Sequence, residues 1–408
     1  MKNVGGLKEC YGCGICILSC PKDIIKLSLN DEGFYTPQIV DIDKCIECGV
    51  CLKTCSYLAD GLALKKDFIR SYAAWSNDMQ VRRKCSSGGI SFELGKNLIN
   101  KGYKVCGVRY NTEYKRAEHY IATTENDLIQ SIGSKYIQSY TSEAFKSISK
   151  SERYLITGTP CQIDSMRRYI KRNKCEDNFV LLDFFCHGVP SMLVWNKYCK
   201  WAEEIVGPVT YVSWRNKHTG WHDSWAMGVD GEAHGENINW HDSYNVLMRE
   251  KKSYLQSRLS KGDMFYYLFL TDCCLGKQCY EHCKYKYNQS SADIRIGDLW
   301  GNTYLNDENG VSAVVTFTEK GDRLLKQLNC TVVEHDIDVV TEGQDKENTT
   351  KPYVYDKVLS SLKDDRLPLK ATVRIVSNYK RCKRIQYLIT HPHYTVSKLI
   401  GRLLSKNR

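Results

Sequence analysis

Three things are missing from this sequence. No run approaches the roughly 18 uncharged apolar residues that a membrane-spanning helix needs. The first residues, Met1-Lys2-Asn3-Val4-Gly5-Gly6, lack the basic-then-apolar pattern of a secretory signal. From Arg366 to Arg408 there is no Asp or Glu, against 11 Lys or Arg. The first two absences lead us to expect a soluble, cytoplasmic protein. The third locates the net charge of +11 in the tail, so the rest of the chain is balanced and a uniformly basic nucleic-acid-binding body is excluded. With 42% apolar and 26% charged residues, the 408-residue chain is not disordered and has material for more than one domain.

Cysteine is abundant instead. Its 20 copies are too sparse for a small disulfide scaffold and too many for accidental packing, and in a reducing compartment they point to metal or redox chemistry. Eight fall in the first 57 residues as a duplicated pattern. Cys10, Cys13, Cys16 and Cys20 are spaced C-x2-C-x2-C-x3-C and followed by Pro21; Cys45, Cys48, Cys51 and Cys55 repeat the spacing, with Ser56 where a proline is usual. Structural zinc is the competing reading, but it uses separated C-x2-C pairs rather than duplicated triples.

The pattern resembles the bacterial two-cluster ferredoxin. That resemblance implies two 4Fe–4S clusters, with the fourth cysteine of each run crossing to the other cluster. Cys10, Cys13, Cys16 and Cys55 would then hold one, and Cys45, Cys48, Cys51 and Cys20 the other. Gly12, Gly14 and Gly49 would let the backbone turn tightly around them.

From Ser71 to Gly301 short apolar runs alternate with helical segments. Strands are expected at 71–75, 104–109, 154–157 and 180–185, and helices at 90–101, 161–171 and 194–205. Beyond Trp300, a strand at 311–317 and a helix at 320–328 are expected, and 341–350 reads as a polar loop. The expected fold is an α/β flavin-binding domain fused to a small N-terminal α+β dicluster ferredoxin domain. Boundaries are placed at 1–60, 68–305 and 306–408, the last segment being a C-terminal extension with a basic tail.

Five segments of the middle region stand out. They are Ser86-Ser87-Gly88-Gly89-Ile90, Gly133-Ser134-Lys135-Tyr136, Gly158-Thr159-Pro160-Cys161-Gln162, Cys186-His187-Gly188-Val189-Pro190-Ser191, and Cys279 to Cys283 running on to Gly297-Asp298-Leu299-Trp300-Gly301. In this order, behind a ferredoxin pattern, they resemble the coenzyme F420 hydrogenase/dehydrogenase beta-subunit family. The resemblance implies an FAD-containing domain with a third 4Fe–4S cluster, whose ligands would be Cys161, Cys186, Cys279 and Cys283. The family pair is commonly C-x2-C where this chain has C-x3-C, and Cys273 and Cys274 lie close enough to compete.

The residues agree with that chemistry without dictating it. Ser87, Gly88 and Gly89 precede a helix, where free amides suit a dinucleotide pyrophosphate; an ordinary N-cap by Ser87 would look the same. Ser134, Lys135, Tyr136, Thr159 and Asp298 are further candidate cofactor contacts. Lys135 reads equally as a solvated lysine, and Asp298 as the cap of a turn. His187 is a candidate proton donor, since imidazole titrates near neutrality, or a histidine satisfied by backbone. Arg215, Asn216, Lys217 and Trp221 suit an anionic substrate or a solvated loop.

Two functions are therefore expected. One is an iron–sulfur flavoprotein oxidoreductase passing electrons from 4Fe–4S clusters through FAD to a small-molecule acceptor, in the setting of surface polysaccharide synthesis. The alternative is an electron-transfer beta subunit linking a hydrogenase or formate dehydrogenase to coenzyme F420. A redox partner protein or reduced ferredoxin is the expected electron source, nucleic acid is not an expected partner, and the basic tail offers peripheral contact with an anionic inner-membrane face.

Overall fold

The computed structural model describes residues 2–65, 68–217, 220–232 and 255–391. Among them, no helix is long and apolar enough to cross a membrane. The expected basic tail lies partly outside the described residues, from 392 onward.

The N-terminal module is small. Strands β1 (Ile25–Leu29) and β2 (Tyr35–Ile39) form an antiparallel hairpin. Two one-turn helices, α1 (Ile15–Ser19) and α2 (Val50–Lys53), start after Gly14 and Gly49, and both glycines have positive φ, as does Gly12. Ile17, Ile25, Leu27 and Tyr35 are buried between the hairpin and the helices.

The large body is built on a nine-stranded mixed sheet. Its strands are β3 (Arg70–Ser76), β4 (Lys104–Asn111), β5 (Arg116–Ala122), β6 (Ser139–Tyr140), β7 (Tyr154–Thr157), β8 (Phe179–Phe184), and then three from the C-terminal third. A separate three-stranded antiparallel sheet comprises β9 (Val209–Ser213), β10 (Ala226–Gly231) and β11 (Leu255–Arg258). The last strands of the large sheet are β12 (Ile294–Asp298), β13 (Ser312–Thr316) and β14 (Cys330–Glu334), and its order is β14-β3-β13-β12-β8-β7-β4-β5-β6. β4, β7, β8 and β12 run parallel in its centre, and antiparallel pairs flank them. β7 and β8 read as continuous apolar runs because both faces are covered.

Helices α3 (Ile90–Asn100), α4 (Pro160–Arg172) and α5 (Met192–Val206) lie close to their expected positions. Two clusters of buried apolar residues separate by face of the sheet: Leu155, Val180 and Leu182 pack with Ile90, Leu94 and Leu98 of α3, while Ile156 and Leu181 pack with Ile163 and Ile170 of α4.

The boundary expected at 305/306 falls inside the large sheet. β13 inserts between β12 and β3, and β14 covers the other edge of β3. The region after Trp300 looks like an extension in sequence because its strands are short and separate. Their partner is the first strand of the body, more than 230 residues away, which no local pattern announces.

Candidate functional site

Each cysteine run wraps a cavity completed by the other. One small cavity is lined by Cys10, Cys13, Cys16 and Cys55, the other by Cys20, Cys45, Cys48 and Cys51. This is the division that the ferredoxin resemblance implies. Burial pushes the Cys10 thiol up to about 12 and Cys13 to about 11. Without a positive centre these sulfurs would stay protonated, so metal binding must displace their protons. Among the described residues, no three His, Cys, Asp or Glu side chains are placed to hold a single metal ion. The sulfurs surround a space rather than a point, which suits a polynuclear cluster better than one zinc.

The larger cavity opens at the carboxyl ends of the parallel strands, where α/β sheets gather ligands. It measures about 580 Å³, within the range of cofactor sites. Its wall includes Ser87, Gly89, Ser134, Lys135, Tyr136, Thr159, Asp298 and His187 together with Cys161, Cys186, Cys279 and Cys283. Residues from five separated motifs therefore meet in one place.

The four inner cysteines come from three segments, the last two of which are held together by backbone. Cys161 is in the first turn of α4, directly after β7. Cys186 follows β8, and its loop runs against the segment 274–276 through a bridge between Pro190 and Leu275 and the Gly276 N–H donating to the Val189 carbonyl at 3.0 Å. Gly188, with φ at +144°, allows this approach: a Cβ there would sit 2.9 Å from Leu275 Cδ1 and 3.4 Å from Cys279 Cβ. Cys279 lies in α6 (Lys277–Glu281) and Cys283 two residues past its end. The C-x3-C spacing thus runs off the end of the helix, and both cysteines still line the cavity. Burial raises Cys186 to about 12 and Cys279 to about 11, and each feels the charge of Cys283. Cys273 and Cys274 do not line the cavity; both are buried in the aromatic core around Trp195 and Phe265.

Several candidate contacts are already engaged. Ser87 Oγ donates to the Val311 carbonyl at 2.8 Å and does not cap α3, whose N-cap is Gly89 with no side-chain bond. Gly88 faces the sheet: a Cβ would meet the Ala74 carbonyl oxygen at 2.3 Å, so it allows the loop to cross β3 and β13. Lys135 Nζ donates to the carbonyls of Gln130 and Ile132 at 3.2 and 3.0 Å, which leaves one N–H for a ligand when the amine is protonated. Although part of its side chain reaches solvent, burial of the amine pulls Lys135 down to about 7. Lys217 is no substrate cation; its amine donates to the carbonyls of Arg82, Ser87 and Asn309 at 2.6–2.8 Å and pins the glycine turn.

Asp298 neither floats free nor caps a turn. It accepts from the fully buried Arg215 (Nη1 at 2.9 Å) and from Trp221 Nε1 at 3.0 Å. Arg215 also donates to Tyr136 Oη at 3.0 Å and lies between Trp225 and Trp300, 5.0 and 5.3 Å from their ring centroids. This group fixes the Tyr136 ring against Trp225, with centroids 4.8 Å apart, and builds an aromatic wall.

His187 is held by two acids. Nδ1 lies 2.9 Å from Asp345 Oδ2, and Nε2 makes a 2.7 Å ion contact with Asp272 Oδ1 that is poorly aligned for a hydrogen bond. Burial opposes a charge on the ring, but the contacts and charges of the two carboxylates outweigh it and raise His187 to about 9. Lys286 Nζ closes the group, donating to the carbonyls of Cys186 and His187 at 2.9 and 3.0 Å. At neutral pH His187 is therefore an imidazolium facing two acids, not a histidine satisfied by backbone. Sequence reasoning missed both acids, since Asp272 adjoins two cysteines without a motif and Asp345 lies in the polar loop.

The ferredoxin module meets the inner site at α4. Ser56 Oγ donates to the Cys161 carbonyl at 3.0 Å, and the Ser56 N–H donates to Ser165 Oγ at 3.1 Å. Ser165 Oγ in turn lies 3.5 Å from Cys13 Sγ. One helical turn thus joins a cysteine of the first cluster site to a cysteine of the inner one. Proline at 56 would lack the N–H, which gives the departure from the usual ferredoxin pattern a physical reason.

Residues 9–59 match a 4Fe-4S dicluster domain. Among solved structures, a chain of the F420-reducing [NiFe] hydrogenase complex from Methanosarcina barkeri is similar, with 16% identity and a TM-score of 0.42, over 76% of this chain and 93% of that one. No curated protein matches. Residues 71–146 match the N-terminal part, and 151–337 the C-terminal part, of the coenzyme F420 hydrogenase/dehydrogenase beta subunit, together more than half of the sequence. Behind its dicluster domain, the chain belongs to the coenzyme F420 hydrogenase/dehydrogenase beta-subunit family.

Proposed function

We propose that this chain is an electron-transferring iron–sulfur flavoprotein subunit, exchanging electrons between a hydrogenase- or dehydrogenase-type partner and a deazaflavin such as coenzyme F420. The observation that carries the proposal is the Cys13–Ser165–Ser56–Cys161 contact, which sets one cluster site directly against a cavity of cofactor size. The family match favours this subunit role over the surface-polysaccharide setting, for which no residue of the site speaks.

The cavity suits FAD. The aromatic wall of Tyr136, Trp225 and Phe269 gives an apolar platform, with ring centroids 4.8 and 5.7 Å from Tyr136. The uncapped N-terminus of α3 and the remaining N–H of Lys135 suit a pyrophosphate. When bound, FAD would accept or release electrons singly or in pairs, which joins one-electron clusters to a two-electron acceptor. The chain's own residues orient and insulate: Lys217 holds the turn, Arg215 and Asp298 hold the wall, and Ser56 and Ser165 seat the ferredoxin module. His187 places a cation beside the inner cysteines, where added electrons would put negative charge.

Anaerobically prepared protein should carry about 12 iron atoms per chain, from three four-iron clusters. Its heat-released supernatant should contain FAD. Near eight iron atoms would remove the third cluster, and a colourless supernatant would remove the flavin. Photometric reduction of coenzyme F420 by the chemically reduced protein would separate the subunit reading from an unrelated acceptor.

A further inference from the structure

The C-terminal helix, α9, has two halves of different character. It spans Leu369–Thr390, and its buried residues Leu369, Thr372, Val376 and Tyr379 repeat at helical spacing and stop at Tyr379. Packed beside it is α8 (Tyr355–Lys363), where the Ser361 and Thr372 hydroxyls are 2.8 Å apart; the short α7 (Met264–Phe269) lies in the same core. From Lys380 to Thr390 every residue except Leu388 is exposed. This half extends about 16 Å at 1.5 Å per residue.

The exposed half carries Lys380, Arg381, Lys383 and Arg384 and no acid. Lys380 is rooted in the body, 5.4 Å over the Tyr267 ring, and Lys383 lies 5.4 Å over the ring of Tyr379, one turn back in the same helix. Arg381, Ile385 and Ile389 follow at four-residue steps, so they share one line of the helix, turned away from the docked stripe. Ile385 is 49% and Ile389 72% exposed. Exposed isoleucines bordered by arginines on a helix held firmly at its other end form the pattern of an interfacial helix. The sequence beyond repeats the composition, with Lys398, Arg402, Lys406 and Arg408 beside Leu399, Ile400, Leu403 and Leu404.

We propose that α9 beyond Tyr379 docks on the surface of a bilayer bearing anionic phospholipids. Headgroup phosphates would take the arginines while Ile385 and Ile389 enter the acyl boundary. A lipid surface fits better than an acidic protein because the last 43 residues carry 11 Lys or Arg and no acid, with exposed apolar residues among them. A protein interface would use charges of both signs to set its register. The proposal is independent of the redox reading.

The test is flotation of the full-length holoprotein with vesicles of phosphatidylcholine containing about one quarter phosphatidylglycerol, against phosphatidylcholine alone. Binding is expected only to the anionic vesicles, with release at high salt. The R381E/R384E variant should bind about 25-fold more weakly or worse, at about fivefold per cation lost, and I385S/I389S should also bind more weakly. Iron content equal to that of the unchanged protein shows that each variant is folded. Equal recovery with neutral vesicles, no binding, or undiminished binding by R381E/R384E would overturn the proposal; so would capture by an acidic protein without vesicle binding.

Discussion

Replacing Ser56 tests how the ferredoxin module is seated. Ser56→Ala removes the 3.0 Å bond to the Cys161 carbonyl and leaves the Ser165 hydroxyl, which donates to Ser56 Oγ at 2.8 Å, without that acceptor. One lost hydrogen bond plus one buried donor left unmatched costs about 2 kcal/mol. Ser56→Pro, which restores the residue usual in ferredoxins, also deletes the N–H that donates to Ser165, adding about 1 kcal/mol or more. At about 2 kcal/mol per molar urea, the midpoint for cluster bleaching should fall by about 1 M in the alanine variant and further in the proline variant. The reduced-cluster electron paramagnetic resonance spectrum should lose line broadening from its neighbour as the contact loosens. A proline variant with an unchanged midpoint and an unchanged spectrum would show that this contact does not seat the module.

Cys186→Ala should lower iron by about four atoms per chain while leaving the ferredoxin spectrum intact; unchanged iron would remove Cys186 from the ligand set. Arg295 makes a buried pair with Asp183 at 2.7 Å and holds the carbonyls of Tyr285 and Tyr287 at 2.9 Å, just after Cys283. Arg295→Met leaves the Asp183 charge uncompensated and should cost about 3–5 kcal/mol in chemical unfolding. His119 is buried with Nε2 3.0 Å from the Thr157 carbonyl, and burial lowers it to about 4. Its folded value is below its unfolded one, so its contribution is complete above pH 6.5 and is lost as pH falls through about 4. The full loss is about 3 kcal/mol, and His119→Gln should flatten the acid limb of stability against pH by that amount.

Much of the site was legible because its chemistry is written locally. A cysteine triple with its fixed spacing, or a glycine pair before a helix, is a short-range pattern, and the structure puts the expected ligand sets around their cavities. The parallel strands were legible as apolar runs. What could not be read was pairing at a distance. Asp298 looked available because its partner Arg215 is 83 residues away. His187 could be read as a proton donor or as a histidine satisfied by backbone, because Asp272 and Asp345 arrive from separate loops. The antiparallel β5, buried for most of its length yet carrying Arg116, Glu118 and His119, does not stand out as a strand until it lies against β4.

The placing of β3 constrains how the body can be made. The earliest strand of the large sheet acquires both its neighbours from the end of the domain, β13 on one side and β14 on the other. During synthesis it must wait with both edges bare for some 250 residues, and bare edges invite wrong pairing. A product cut near residue 305 would keep every cysteine motif yet leave that strand unmatched, so an aggregate rather than a smaller working electron carrier is the expected result of such a truncation.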